Sequence, residues 1–113
     1  MRLVDLALPL GKALGSHPAG LASQIERSAI SIPTNIAEGY GRASRAEYLH
    51  FLSIAAGSLR ELETHILIAC RSGRIAAEPA DRALELADET GRILHGLRKA
   101  LSAGDRKVQR WPR

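Results

Sequence analysis

Aromatic residues are scarce in this sequence. One Phe, one Trp and two Tyr occur among its 113 residues, and Val4 and Val108 are its valines. Strands favour aromatic and β-branched side chains, whereas Ala and Leu, which are abundant here, favour helices. The shortage argues against a sheet-based fold and predicts an all-α chain.

Cysteine and long apolar runs are scarce as well. Cys70 is the one cysteine, so no internal disulfide can form, and we expect it to be a small core residue. No apolar run approaches the ~20 residues of a membrane span. The N-terminal apolar stretch contains Asp5 and Lys12 and makes a poor signal peptide. We therefore expect a cytoplasmic protein with no membrane partner.

Basic charge is concentrated at the C-terminus. Residues 98–113 contain six basic side chains against Asp105, whereas the rest of the chain is close to neutral. Such a segment could neutralise phosphates and stack a Trp on an exposed base. The alternative is a solvated, frayed terminus that keeps the protein soluble. We predict a bundle over residues 1–104 and a basic tail over 105–113, with these candidate nucleic-acid contacts: Arg98, Lys99, Arg106, Lys107, Arg110 and Trp111.

Two segments carry heptad patterns. From Tyr48 to Ala69, apolar residues alternate at spacings of four and three, after a capping box of Ser44 and Glu47 and before Gly73. A similar seam in the fourth segment runs from Ala83 to Leu101. Its helix is predicted to begin near Glu78-Pro79, with Gly104 as its stop. Both patterns predict helices packed nearly parallel to their neighbours.

The first two helices are less regular. The first is predicted from about Leu3 to Leu14 with Pro9 and Gly11 inside it, and the second from about Ala19 to Glu38, ended by Gly39. Short connections between all four segments favour antiparallel neighbours. The sequence therefore predicts an antiparallel up-and-down four-helix bundle.

Pro33 lies inside the second predicted helix. Its ring crowds the Ala29 carbonyl and removes the amide that would bond to it, so the helix must bend or break. Ile25, Ile32 and Ile36 keep their register across the proline, which favours a continuous, kinked helix over a break. Ser31, Thr34 and Asn35 lie close enough to satisfy freed backbone groups.

The third helix has more apolar surface than one seam uses, since Leu49, Phe51, Ile54, Leu67 and Ile68 lie off the seam. A helix apolar beyond one stripe is buried on more than one side, which in a small chain predicts a homo-oligomer. Gly57 costs about 1 kcal/mol in a helix relative to Ala, and the close approach of another helix would compensate.

No catalytic constellation stands out in the sequence. The four histidines are scattered, and Glu61 with His65 at i,i+4 fits a surface ion pair better than a metal site. The glycines of Gly39-Tyr40-Gly41-Arg42 lack the spacing of a phosphate-binding loop. We therefore expect a protein that is not an enzyme, with no metal and no cofactor.

The stretch from Gln24 to Ala69 resembles the small bacterial four-helix-bundle proteins known from intervening sequences in 23S ribosomal RNA genes. The resemblance lies in Gln24, Arg27-Ser28-Ala29, Ser31-Ile32-Pro33, Asn35-Ile36-Ala37-Glu38-Gly39, Gly41-Arg42, Glu47, Phe51-Leu52, Ile54-Ala55, Gly57-Ser58-Leu59, Glu61-Leu62 and Glu63-Thr64. It implies a bundle that assembles into rings, typically pentamers. A related branch, the accessory proteins of diversity-generating retroelements, binds nucleic acid and a reverse transcriptase through a basic surface.

The resemblance implies a non-enzymatic oligomeric scaffold, with RNA or DNA and a reverse transcriptase as expected partners. Arg42 and Arg45 join the candidate nucleic-acid contacts on this basis. The motif positions expected to serve structure are Ser31, Pro33, Asn35, Glu38, Gly39 and Gly57. The first helix departs from the family pattern and looks shortened by two or three turns. The alternative function is a structural or partner-binding oligomer with no nucleic-acid role.

Overall fold

The described part of the chain folds into four helices packed side by side. The structure, a computed structural model, describes residues 2–14 and 20–103, with side chains for residues 2–10 and 20–103. The helices are α1 (Arg2–Leu14), α2 (Leu21–Tyr40), α3 (Arg45–Arg71) and α4 (Ala77–Ala103). Consecutive helices contact each other and α1 also contacts α4, whereas the described parts of diagonal helices make no contact. The predicted all-α up-and-down four-helix bundle is confirmed.

The predicted seams form the core. On α3 every seam residue from Tyr48 to Ala69 is buried. On α2 the buried set includes Leu21, Ile25 and Ile32, and on α1 it includes Leu3 and Leu10. The α4 seam is looser, because Thr90 and Leu97 are half-buried. Among the described helices, no segment has the length and hydropathy needed to cross a membrane.

Helix α1 is the shortest helix, with 13 residues against 27 for α3 and for α4. Arg2 and Leu6 lie beside the part of α4 around Leu86 and Glu89, so α1 begins level with the middle of α4. The C-terminal half of α4 therefore extends beyond the start of α1. Ile93 stands at this boundary and is 67% exposed. The predicted short first helix thus leaves apolar surface of α4 uncovered.

The ends of α3 follow the sequence signals. The amide of Glu47 donates to the Ser44 hydroxyl at 3.1 Å, which is half of the predicted capping box. At the other end, the amides of Gly73 and Arg74 donate to the carbonyls of Cys70 and Ala69 at 3.0 and 2.9 Å. Gly73 has φ 78°, which glycine adopts without strain, so this end forms a Schellman motif.

Two predicted helix ends were wrong. Helix α2 does not stop at Gly39 but continues to Tyr40, because Gly39 keeps helical geometry and the amide of Gly41 still donates to the Ala37 carbonyl. Helix α4 begins at Ala77 rather than at Glu78-Pro79. Pro79 is accommodated in the first turn, where amides have no intrahelical partner. The predicted stop of α4, Gly104, lies outside the described residues.

Helix α2 runs through Pro33 without a break, as predicted. Thr34 Oγ1 donates to the Ile30 carbonyl at 2.8 Å, and Asn35 Nδ2 donates to the Ser31 carbonyl at 2.8 Å. These bonds give a side-chain donor to the carbonyls of Ile30 and Ser31, the two residues after Ala29. The bend at Pro33 stays a prediction.

The polar residues around Pro33 also connect α2 to α3. Asn35 Nδ2 donates to Ser31 Oγ at 2.9 Å, and Ser31 Oγ lies 2.7 Å from Ser58 Oγ on α3. Asn35 therefore contacts α3 through Ser31 rather than directly. Ser28 is buried beside them and donates to the Gln24 carbonyl at 2.8 Å. This small polar cluster fixes the register of α2 on α3.

We expect Pro33→Ala to leave the protein folded and to change its free energy of unfolding by less than ~1 kcal/mol. The added amide can bond to the Ala29 carbonyl, but a straighter α2 fits the Ser31–Ser58 contact less well. Urea unfolding with sedimentation measures both consequences. A gain of more than ~1 kcal/mol with unchanged assembly would show that the proline has no role in packing.

Candidate nucleic-acid interface

The turn between α2 and α3 is built around a close approach of the two helices at Gly39. A Cβ atom on Gly39 would lie 2.8 Å from Phe51 Cβ, 2.8 Å from Tyr48 Cδ1 and 3.3 Å from the Tyr48 carbonyl oxygen. Gly39 is buried, so this residue lets α2 pack directly on the first turns of α3. The sequence prediction recognised the importance of Gly39 but attributed it to helix termination.

Arg42 contacts both helices at the same corner, which is the turn between α2 and α3. Its Nη2 lies 2.6 Å from Glu38 Oε2, and its guanidinium carbon lies 4.9 Å from the centroid of the Phe51 ring. A cation over an aromatic face adds to the stabilisation by the ion pair. The Arg42 guanidinium is thus engaged in two contacts at this turn, and a phosphate there would compete with Glu38 for it.

Two tyrosines pack beside this ion pair. Tyr40 and Tyr48 meet edge to face with ring centroids 6.0 Å apart. Burial raises the pKa of Tyr48, and the neighbouring Tyr40 raises it further. The Tyr48 phenol therefore stays neutral at physiological pH and adds no charge to this corner.

Helix α4 brings further basic residues to the same half of the bundle. Arg98 Nη2 donates to Ser53 Oγ of α3 at 3.1 Å, which places the C-terminal part of α4 beside the N-terminal part of α3. Lys99 is the exposed neighbour of Arg98, and Arg45 is the half-buried first residue of α3. The fold thus brings all four described candidates, Arg42 included, to one half of the bundle.

The remaining candidate contacts, Arg106, Lys107, Arg110 and Trp111, lie outside the described residues, as does the predicted tail over 105–113. Arg71 and Arg74, at the turn between α3 and α4, lie at the opposite end of the bundle. The arginines near helix ends are therefore divided between the two ends. The end that contains the α2–α3 turn also contains the C-terminus of α4.

A groove between α3 and α4 was missed by the sequence analysis. Its volume is about 580 Å³, and its lining includes the basic residues Arg60, Arg92, Arg98 and Lys99, together with His95. Arg92, His95 and Lys99 follow one another at spacings of three and four. This spacing places the three α4 residues on one helix face, which could have been read from the sequence. Arg60 lines the same groove only because α3 packs on α4.

Two carboxylates share this groove. Asp88 Oδ2 lies 2.9 Å from Arg92 Nη1. Burial is the main cause of the raised pKa of Glu63. Arg60 lowers this pKa, whereas Asp88 raises it further. Both carboxylates oppose an anion in the groove when they are ionised.

Two pairs of glutamate and histidine on α3 have a spacing at which side chains lie on one helix face. Glu47 and His50 form one Glu-x-x-His pair, with both residues exposed on α3, whereas di-iron bundles use two such pairs with two further glutamates. In the described part of the chain, no three His, Cys, Asp or Glu side chains cluster as metal ligands. Nδ1 of His65, which was considered with Glu61, is buried without a hydrogen-bond partner.

Comparison with protein families gives one match. The family model of the 23S rRNA-intervening sequence proteins matches residues 4–96, which includes most of all four helices. A comparison with curated proteins finds no match. The chain therefore belongs to the 23S rRNA-intervening sequence protein family, in agreement with the resemblance of residues 24–69.

Proposed function

From its membership in the 23S rRNA-intervening sequence protein family, we propose that this chain is a non-enzymatic oligomeric scaffold that associates with nucleic acid. The observation that carries the proposal is the collection of basic residues on one half of a bundle of this family. Arg98 and Lys99 of α4 lie beside the N-terminal part of α3, where Arg45 begins the helix. Such a cluster can attract a polyanion without reading its sequence.

The proposed contact is electrostatic. The described residues supply arginine and lysine side chains, and four further basic residues follow in the sequence: Arg106, Lys107, Arg110 and Arg113. Arginine can form two parallel hydrogen bonds to a phosphate, and lysine contributes a point charge. RNA and DNA share this phosphate chemistry, so the proposal includes either.

The oligomeric part of the proposal is supported by the exposed face of α3. Ile54 and Ile68 are 38% and 49% exposed in the single chain. Ile54, Glu61 and Ile68 recur every seven residues, with Gly57 among them, which is the spacing of a second helix-packing seam. A homo-oligomer that covers this face, a pentamer by family resemblance, would bury the isoleucines.

Gly57→Ala tests this face. A Cβ at Gly57 would meet nothing within 4 Å in the chain itself, so the single chain should gain up to about 1 kcal/mol of helix stability. We expect assembly to weaken, because the added methyl group obstructs a second copy. Gly96→Ala is the matched control, since that helical glycine also has open space around it. Equal sedimentation of both variants and the parent would place any interface elsewhere.

A second candidate function is a structural or protein-binding oligomer with no nucleic-acid role. The same apolar residues on α3 favour it, because they could bind another protein instead of a further copy. A reverse transcriptase is the partner that the family resemblance suggests. Direct binding measurements with nucleic acid separate the two candidates.

The test uses the full chain with labelled single-stranded RNA and DNA in a fluorescence anisotropy titration at about 50 mM salt, where phosphate contacts are strong. We expect saturable binding to both nucleic acids with little dependence on base sequence. Absence of binding to either would favour the structural or protein-binding oligomer. A strong preference for one sequence would contradict the electrostatic contact.

A further inference from the structure

The groove between α3 and α4 is open because small residues line its floor. Ala56 of α3 and Ala87, Gly91 and Gly96 of α4 contribute little side-chain volume. A Cβ at Gly91 would lie 3.3 Å from Leu59 Cδ2, so the two helices approach closely there. The volume of about 580 Å³ is in the range of ligand-binding clefts, about 300–1,000 Å³.

The rim of this groove carries an excess of positive charge. Four arginines and lysines face two carboxylates, Glu63 and Asp88. Asp88 pairs with Arg92 at 2.9 Å. The remaining charged residues are three basic ones, Arg60, Arg98 and Lys99, and one carboxylate, Glu63. Among residues 20–103, the hydrogen-bond partner of the Arg98 guanidinium is the neutral Ser53 hydroxyl. A guanidinium has five donors, so Arg98 retains donors for an anion.

The described lining of the groove offers no aromatic platform for bases, and its apolar part consists of small residues and of core residues such as Leu59 and Leu94. The exposed large apolar residues of the described chain are Ile30, Tyr40, Ile54, Leu67, Ile68 and Ile93. The groove lining contains none of them, and none of its described residues is Phe, Tyr or Trp. A ligand with charged groups would therefore be held by the basic residues of the rim without base stacking, above an apolar floor.

We propose that the α3–α4 groove binds the phosphate backbone of single-stranded nucleic acid; this inference rests on the proposed nucleic-acid function and locates its main described contact. Arg60 of α3 and Arg98 and Lys99 of α4 contact successive phosphates, and the bases point away from the protein. Two packed helices lie about 8–10 Å apart, so a single flexible strand can follow the groove. A rigid duplex can reach only its rim.

The first test neutralises the groove in the full chain. The variant Arg60→Gln/Arg98→Gln/Lys99→Gln is titrated with a labelled thymidine oligonucleotide of about 16 nucleotides, within the known range of site sizes. Three lost phosphate contacts lower the salt slope by about 2, which is about a hundredfold in affinity at 0.1 M salt. The matched control, Arg27→Gln/Arg71→Gln/Arg82→Gln, removes equal charge outside the groove and should bind within a few-fold of the parent.

A gain of affinity gives a second, independent readout. Glu63→Gln removes the groove carboxylate other than Asp88, which pairs with Arg92, and we expect several-fold tighter binding. Glu85→Gln removes the same charge beside α1, outside the groove, and should change affinity little. These single substitutions keep the proposal testable if the triple variant does not fold.

The outcomes separate the groove from the proposed function. If the parent binds and the groove variants bind as their controls do, the groove assignment is wrong while nucleic-acid association stands. If the parent does not bind at all, both are wrong. Equal affinity for the oligonucleotide and for a duplex of the same length would also overturn the single-strand assignment.

Discussion

Gly39→Ala should lower the free energy of unfolding by up to about 2 kcal/mol. The new methyl group would lie 2.8 Å from both Phe51 Cβ and Tyr48 Cδ1, distances at which one helix must move. Overpacking of this kind costs about 1–3 kcal/mol, and the gain in helix propensity of about 1 kcal/mol offsets part of it. The contact between Arg42 and Phe51 at the α2–α3 turn should weaken as well. Urea unfolding measures the loss.

Gly96→Ala is the matched control for this substitution. Gly96 lies in α4 with nothing within 4 Å of an added Cβ, so alanine should stabilise the helix by up to about 1 kcal/mol. The two substitutions are chemically identical and differ only in what surrounds the methyl group. Equal gains at both positions would show that α2 and α3 do not depend on close approach at Gly39.

Removing residues 105–113 should produce the largest loss of nucleic-acid affinity. The deletion removes Arg106, Lys107, Arg110 and Arg113, as well as Trp111. Four phosphate contacts correspond to a salt slope of about 3, or about a thousandfold in affinity at 0.1 M salt. Several tails on one oligomer would act together, so the measured loss could exceed this value.

The deletion variant needs two controls. Circular dichroism and sedimentation should show unchanged helical content and assembly, because the described core residues all precede position 104. A second variant, in which Trp111 alone is replaced by alanine, separates base stacking from charge and should cost about 1–3 kcal/mol if the ring stacks on a base. Unchanged affinity after the full deletion would place the contact on the helices instead.

The fold could be predicted from the sequence because its signals are periodic and local. The seam from Tyr48 to Ala69 is buried throughout, and the cap at Ser44 and the turn at Gly73 occur where the residue types require them. The continuity of α2 through Pro33 followed from the unchanged register of its isoleucines. Each of these features depends on residues close together in the chain.

The errors and omissions concern contacts between helices. Gly39 resembled a helix stop because glycine is common there, but its role is set by Phe51 and Tyr48 on the next helix. The α3–α4 groove depends on how far each helix is rotated about its axis, which places Arg60 in the same groove as Arg98 and Lys99. Spacing along one helix does not contain that information. The predicted tail contacts lie outside the described residues and stay predictions.

The salt dependence of nucleic-acid affinity tests the central claim most directly. The full chain is titrated with a single-stranded oligonucleotide at several salt concentrations between about 50 and 200 mM. Contacts from the groove and the tail to about seven phosphates predict a slope of log K against log salt of about −5. A slope near zero, or no binding at the lowest salt concentration, would contradict a scaffold that holds nucleic acid by its phosphates.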